Sequence, residues 1–193
     1  MSLSSSSSVR FVPIYSHLLR LLGSVDASVP ALDRALSEGS SLGLTPGGIA
    51  EMFWSYPQPN CHPLHEYAVL ASRKGFIRLA IKHGVDLCPV FCFGASKMFR
   101  SIALPSIVQT ISRTLQISLV AFFGRWGMPI PFATKTMYAL GPRIPTAPYP
   151  LVGGEPSTEV VDFLHRTFVV ALEDTFNRHK SSFGWSNREL IIV

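Results

Sequence analysis

Residues 73–94, RKGFIRLAIKHGVDLCPVFCFG, decide the fold class, because they join a short basic helix to an apolar strand. Phe76, Leu79 and Ala80 have the i, i+3, i+4 spacing that is typical of one buried helical face. Gly84 can take the left-handed conformation that ends a helix. The first half of this stretch therefore predicts a helix that begins at basic residues and stops at a glycine.

The second half of the stretch predicts a buried strand over 87–93. Its residues are too apolar for a surface hairpin, so we expect both faces to be covered, as in a parallel or mixed sheet. Cys88 and Cys92 are four residues apart and would share one buried face of this strand. The predicted fold class is α/β, with a mixed sheet flanked by helices.

Weaker patterns extend this order along the rest of the chain. We predict a disordered serine-rich start over 1–10 and one domain over 11–193. Helices are predicted at 13–22, from Ser28 to Gly39, over roughly 97–121 and after Ser157, and strands at 42–44, 138–144 and 149–152. The last helix has the clearest pattern, with an apolar face made of Val161, Leu164, Phe168, Leu172 and Phe176.

Several short blocks occur in an order that identifies a family. They are PGGIAE at 46–51, RKGFIRLA at 73–80, VFCFG at 90–94 and VGGEP at 152–156, with FVPIYSHLLRLLG at 11–23 and FFGRWGMPIPF at 122–132. Together they resemble the type-2 diacylglycerol acyltransferases, including plant and algal members, and their monoacylglycerol and wax-ester relatives. The resemblance covers almost the whole chain and implies part of a glycerolipid acyltransferase fold.

The resemblance also implies a reaction and a location. Members transfer a fatty acyl group from acyl-CoA to diacylglycerol and form triacylglycerol, with acyl-CoA as a co-substrate and no further cofactor. The implied location is the cytosolic face of the endoplasmic reticulum membrane and the lipid droplet. Diacylglycerol, monoacylglycerol, fatty alcohol and sterol enzymes share these motifs, so the acceptor stays open.

Two groups of residues are implied in substrate binding. Glycines in the first block can bring backbone N–H groups close to a ligand, and the glutamate that ends it is where relatives hold the acceptor. Bases at the start of the 73–83 helix are candidates for the CoA phosphates. These residues are Gly47, Gly48, Glu51, Arg73, Lys74 and Arg78. An ordinary turn and a solvated helix face are the alternative interpretations.

The catalytic base cannot be assigned from the sequence. The family carries its proposed histidine in a His-Pro-His-Gly or Glu-Pro-His block upstream of the Pro-Gly-Gly turn, and residues 1–10 contain no such block. His62 and His65 form a similar pair, but their spacing differs and they follow Glu51, so we interpret the likeness as coincidence. The chain is then the carboxy-terminal part of an acyltransferase, an incomplete gene product or a degenerate paralogue. The alternative function is a catalytically inactive, membrane-peripheral protein that binds lipid or acyl-CoA.

Charge is distributed unevenly along the chain, which as a whole carries +5. Between Tyr67 and Gly154, Asp86 is the only acid against ten bases. These bases alternate with apolar residues, which favours an anionic membrane surface as the partner and not nucleic acid, whose recognition signatures are absent from the sequence. No apolar run reaches the roughly 18 residues of a membrane-spanning helix.

The cysteines indicate a reducing environment. Three cysteines in 193 residues are too few for a disulfide framework. Cys61, His62 and His65 lie close in sequence but lack a well-spaced second pair of ligands, so we predict no metal site.

Overall fold

The computed structural model describes residues 2–5, 24–26, 28–48, 51, 54, 61–101, 122–128 and 130–193. Helices and small sheets alternate along these segments, which confirms the predicted α/β class. The predicted helix at 13–22 and most of the predicted helix at 97–121 lie outside the described residues.

Three α-helices are found in the described segments. Helix α1 is Val29–Ser37, with a proline in its first turn. Helix α2 is Gly75–His83, and it ends at Gly84, which has a φ of 61° as predicted. Helix α3 is Thr158–Phe183.

The strands are short. In chain order they are β1 Ser2–Ser5, β2 Ser24–Asp26, β3 Leu42–Gly43, β4 His65–Ala68, β5 Val90–Phe93, β6 Arg100–Ser101, β7 Phe122–Phe123, β8 Met137–Leu140, β9 Leu151–Val152, β10 Glu155–Pro156 and β11 Glu189–Ile192. Parallel and antiparallel pairs both occur, in several small sheets instead of one continuous sheet. β1 pairs in parallel with β2 and β3, and β4 pairs in parallel with β11.

Helix α3 organises the core, because its predicted apolar face is buried along its whole length. Its amino end is capped by Ser157, whose hydroxyl accepts a hydrogen bond from the Val160 N–H at 3.3 Å. The first half of the helix packs against α2 and the end of β4, and the second half packs against β5 and β8. Phe93 and Phe176 are stacked at 5.4 Å between ring centroids and are both fully buried.

The buried face of α2 differs from the predicted one. Ile77, Ala80 and Ile81 are buried, whereas Leu79 is only half-buried. The helix contacts both α1 and α3, so the position of these two neighbours decides which face is covered. The predicted buried face, at Phe76, Leu79 and Ala80, is therefore rotated around the helix axis relative to the observed one.

The strand at 87–93 is the main correction. The regular strand is Val90–Phe93, which pairs with β8 in antiparallel register, and Leu87 forms an isolated antiparallel bridge with Ile144 ahead of it. Its inward face packs on α3, but Val90 on the other face is 47% exposed. Cys88 lies before the strand and is exposed, and Cys92 is half-buried, so the prediction of two cysteines on a buried strand was wrong.

Two smaller differences concern the predicted disorder and the helix at 97–121. Ser2–Ser5 form β1, because β2 and β3 supply backbone hydrogen-bond partners on both edges. Arg100–Ser101 are a strand paired with Phe122–Phe123, so the helix does not begin at 97.

Candidate functional site

The Pro-Gly-Gly turn follows β3 and depends on both of its glycines. Gly48 has a φ of +53°, and its N–H donates to the Thr45 carbonyl at 3.0 Å. A β-carbon on Gly47 would collide with the side chain of Glu51. The turn therefore needs glycine at one position for its backbone conformation and at the other for space.

Glu51 connects this turn to the end of β4. Its carboxylate lies against Gly47 and accepts a hydrogen bond from the backbone N–H of Val69, the residue after β4. Burial raises the pKa of Glu51, and the hydrogen bond from Val69 only partly opposes that shift. In this arrangement the carboxylate anchors the turn to the sheet.

The histidine pair lies at the other end of the same strand. The rings of His62 and His65 are 4.5 Å apart between centroids, and His65 Nε2 is 3.6 Å from the carboxylate of Glu189 on β11. The Tyr67 hydroxyl accepts from the His62 backbone N–H at 2.9 Å. The histidine pair and the Pro-Gly-Gly turn thus lie at opposite ends of β4.

The tautomer of His62 follows from its hydrogen bond. Its Nδ1 accepts from the backbone N–H of Leu64 at 3.2 Å, so the neutral ring carries its proton on Nε2. Neither nitrogen of such a ring is free to take a proton from an alcohol. His65 is four residues before Val69, about 13 Å along a strand, so it cannot hydrogen-bond to Glu51.

The bases of α2 approach the site from the carboxyl end of β4. The N–H of Arg73 donates to the Leu70 carbonyl at 2.9 Å, which places the start of the helix next to Val69. Lys74 Nζ is 2.8 Å from Asp162 at the start of α3, and this bond lowers the pKa of Asp162. Among the described residues, no carboxylate pairs with Arg73 or Arg78.

Buried polar contacts around β4 escaped the sequence analysis. His165 Nε2 is 2.9 Å from the Leu70 carbonyl, and Arg188 donates to Glu66 in a nearly buried ion pair. The residues of that ion pair are 122 positions apart in the sequence. Only a prediction of the β4–β11 pairing could have found it.

The surface charge agrees with the pattern read from the sequence. Of the ten bases between Tyr67 and Gly154, three pair with acids: Lys74 with Asp162, Lys82 with Asp33 and Arg143 with Asp86. Arg113 lies outside the described residues. The other six have no acidic partner within hydrogen-bond distance in the described segments: Arg73, Arg78, Lys97, Arg100, Arg125 and Lys135. This part of the protein is positive even after its ion pairs are counted.

A groove of about 400 Å³ runs along the outer face of α3 beneath Pro142. Phe163, Val170, Arg166 and Arg178 line it, and none of the predicted site residues does. Nowhere in the described part of the chain do three or more His, Cys, Asp or Glu side chains gather as a potential metal site. Among the same residues, no helix has both the length and the apolar character needed to cross a bilayer.

Comparison with known proteins decides the family. The sequence model of the family described as diacylglycerol acyltransferase matches residues 3–193, nearly the whole chain. This protein belongs to that family. The resemblance carried by the short sequence blocks is thereby confirmed.

The family's curated relatives differ in the acceptor that their names specify. The chain is 32% identical to human 2-acylglycerol O-acyltransferase 3, in an alignment that covers 90% of this chain and 52% of the relative. It is 30% identical to mouse acyl-CoA wax alcohol acyltransferase 2, over 95% of this chain and 56% of the relative. Zebrafish diacylglycerol O-acyltransferase 2 is 27% identical, over 94% of this chain and 52% of the relative. The chain spans about half the length of the relatives it matches, and no solved structure matches it.

Proposed function

We propose that this acyltransferase family member transfers a fatty acyl group from acyl-CoA to diacylglycerol and so forms triacylglycerol. The observation that carries the proposal is the family match over residues 3–193. Relatives named for 2-acylglycerol and wax alcohol make these two acceptors the alternatives to test.

The proposed reaction converts the thioester of acyl-CoA into an oxygen ester of the acceptor. The acceptor hydroxyl oxygen attacks the thioester carbonyl, the hydroxyl proton goes to a base, and the C–S bond breaks as the CoA thiolate leaves. Hydrogen-bond donors stabilise the negative oxygen that forms on the carbonyl carbon. In the Pro-Gly-Gly turn the N–H of Gly48 already donates to the Thr45 carbonyl. We therefore assign this role to the N–H of Gly47.

Two further contacts support substrate binding at this end of β4. Glu51, held between Gly47 and Val69, would accept a hydrogen bond from the acceptor alcohol, and Glu51→Gln is expected to weaken acceptor binding. Arg73 and Arg78 would bind the phosphates of CoA, because neither has an acidic partner among the described residues. Lys74 would contribute less, since Asp162 already binds it.

We assign the protein to the cytosolic face of the endoplasmic reticulum membrane and to lipid droplets. The support is the acid-poor, basic stretch between Tyr67 and Gly154, which favours the anionic cytoplasmic leaflet. The acceptors proposed above are themselves lipids.

A second candidate function is binding of acyl-CoA or lipid without catalysis. It is favoured by the hydrogen bond that occupies Nδ1 of His62 and by the separation of His65 from Glu51. The two functions share the substrate-binding groups and differ in whether a base completes the site.

An assay of the purified chain separates the two candidates. Radiolabelled oleoyl-CoA is supplied with vesicles that contain diacylglycerol, monoacylglycerol or a fatty alcohol, and products are separated by chromatography. Acyl transfer to diacylglycerol supports the first function, and transfer only to another acceptor corrects its substrate. Oleoyl-CoA binding without transfer supports the second function for this chain. A chain that neither binds oleoyl-CoA nor transfers its acyl group would overturn both candidate functions.

A further inference from the structure

A compact loop after β7 carries Trp126, the most exposed large apolar side chain in the described part of the chain, at 80% exposure. The loop is held by its own backbone. The Gly124 N–H donates to the Met128 carbonyl and the Arg125 N–H donates to the Ile130 carbonyl, both at 2.8 Å. We call the described residues Gly124–Met128 and Ile130 the Trp126 loop.

The backbone of this loop is strained so that Trp126 points outward. Trp126 has a φ of 56°, a left-handed conformation that is costly for a residue with a β-carbon, and Gly127 continues it with a φ of +73°. At Gly124, a β-carbon would collide with the Ile130 carbonyl. Strain of this kind persists where the surrounding bonds enforce it, and it is often found at binding sites.

The neighbours of Trp126 are both apolar and basic. Met128 is 46% and Ile130 is 40% exposed. The guanidinium of Arg125 is 5.7 Å from the centroid of the Trp126 ring. Arg100 pairs with Phe123 in the β6–β7 ribbon, and its guanidinium is 5.4 Å from the Phe132 ring.

This combination of exposed side chains suits a bilayer surface. Tryptophan prefers the boundary between head groups and hydrocarbon, aliphatic side chains prefer the hydrocarbon, and arginine can extend back to the phosphates. No acidic residue occurs between residues 87 and 154, so nothing in that stretch repels an anionic head group. Nucleic acid would suit the arginines but would leave Met128 and Ile130 without an apolar partner.

We propose that the Trp126 loop is a membrane-contact site, in which Trp126, Met128 and Ile130 enter the interface of an anionic bilayer and Arg125 and Arg100 bind lipid phosphates. The proposal rests on the proposed function in one respect, since an enzyme that acts on lipid acceptors must meet a lipid surface. It adds the residues that make this contact.

Flotation of the whole chain with vesicles tests the loop without any substrate. The vesicles are phosphatidylcholine with and without phosphatidylserine, and no acyl-CoA or acceptor is added. Trp126→Ala is expected to weaken binding to the vesicles that contain phosphatidylserine about tenfold, because it removes most of the aromatic surface that the bilayer would bury. Arg125→Gln is expected to weaken binding about fivefold on those vesicles, and not on phosphatidylcholine alone.

Controls separate contact from folding and from general stickiness. Val29 on α1 is 70% exposed, so Val29→Ser removes an exposed apolar side chain elsewhere and should leave flotation unchanged. Urea unfolding of each variant checks that the fold is intact. Brominated lipids should quench part of the tryptophan fluorescence of the wild-type chain, and that part should be missing in Trp126→Ala.

Three outcomes would overturn the proposal. They are wild-type chain that does not float, equal flotation of Trp126→Ala, and concentration-dependent self-association that Trp126→Ala abolishes while flotation is unchanged. The last result would assign the loop to contact between copies of the chain. Because the assay contains no substrate, loss of the acyltransferase function would leave its result unaffected.

Discussion

The carboxylate of Glu51 lies in the space that a β-carbon on Gly47 would occupy. The two residues are four positions apart in the chain. From that position Glu51 reaches the backbone N–H of Val69. One side chain therefore fixes both the shape of the turn and its attachment to β4.

Gly47→Ala is expected to lower the free energy of unfolding by about 1–3 kcal/mol, because the new methyl group displaces Glu51. Urea unfolding measures the change. Gly75→Ala is the matched control: nothing lies within 4 Å of a β-carbon there, and alanine suits the first turn of α2. The double variant Gly47→Ala/Glu51→Ala should recover part of the loss. Equal stability of Gly47→Ala and wild type would contradict the contact.

Glu51→Gln is expected to gain stability relative to wild type as the pH rises. Burial raises the pKa of Glu51, so the folded chain holds this proton more tightly than the unfolded chain. Ionisation therefore costs stability as the pH rises from the ordinary glutamate pKa, about 4.3, through the raised value. Glutamine does not ionise and can still accept from Val69. Unfolding measured from about pH 4 to about pH 8 tests this, and a pH-independent difference would contradict it.

Arg73→Gln and Arg78→Gln should each weaken oleoyl-CoA binding about fivefold at low salt, which corresponds to roughly 1 kcal/mol per lost charge. Lys74→Gln should have a smaller effect, because Asp162 holds Lys74 and only its screened field reaches a ligand. Lys82→Gln is the control, since Lys82 is bonded to Asp33. Equilibrium binding at two salt concentrations measures these effects. A larger loss in Lys74→Gln than in either arginine variant would reverse the assignment.

The second candidate function predicts that the chain assayed alone forms no triacylglycerol, because a positioned base contributes about 10²–10⁴ in rate and the described residues assemble none. Expression in a yeast strain without neutral-lipid synthesis, followed by lipid analysis, checks this. Triacylglycerol formation that disappears in His62→Ala or His65→Ala would show that the displaced pair acts as the base. The control is His179→Ala, because His179 is bonded to the Thr175 carbonyl within α3.

Local signals explain what the sequence predicts correctly. Ser157 and the apolar period of α3 mark that helix, and Gly84 marks the end of α2, because caps and periodicity depend only on near neighbours. The strand at Val90–Phe93 was found for the same reason. The exposure of one face of that strand was not predicted, because an apolar sequence pattern is the same whether the face is buried or exposed.

In the candidate site, too, the contacts between near neighbours were predicted and the long-range contacts were not. The turn glycines and Glu51 are close in sequence, and their grouping was predicted. The contacts of Glu51 with Val69 and of Lys74 with Asp162 depend on how β4, α2 and α3 are arranged. Such contacts join residues that are far apart in the chain, so no pattern within one segment reveals them.

The parallel pairing of β4 with β11 constrains how the chain can fold during its synthesis. β11 leaves the ribosome more than 100 residues after β4, since the Glu66–Arg188 pair beside it spans 122 positions. Until then, one edge of β4 and the carboxylate of Glu66 lack their native partners. The nascent strand is thus an exposed edge that can bind other chains or chaperones. Any expressed fragment that stops before residue 189 would carry that vulnerability permanently.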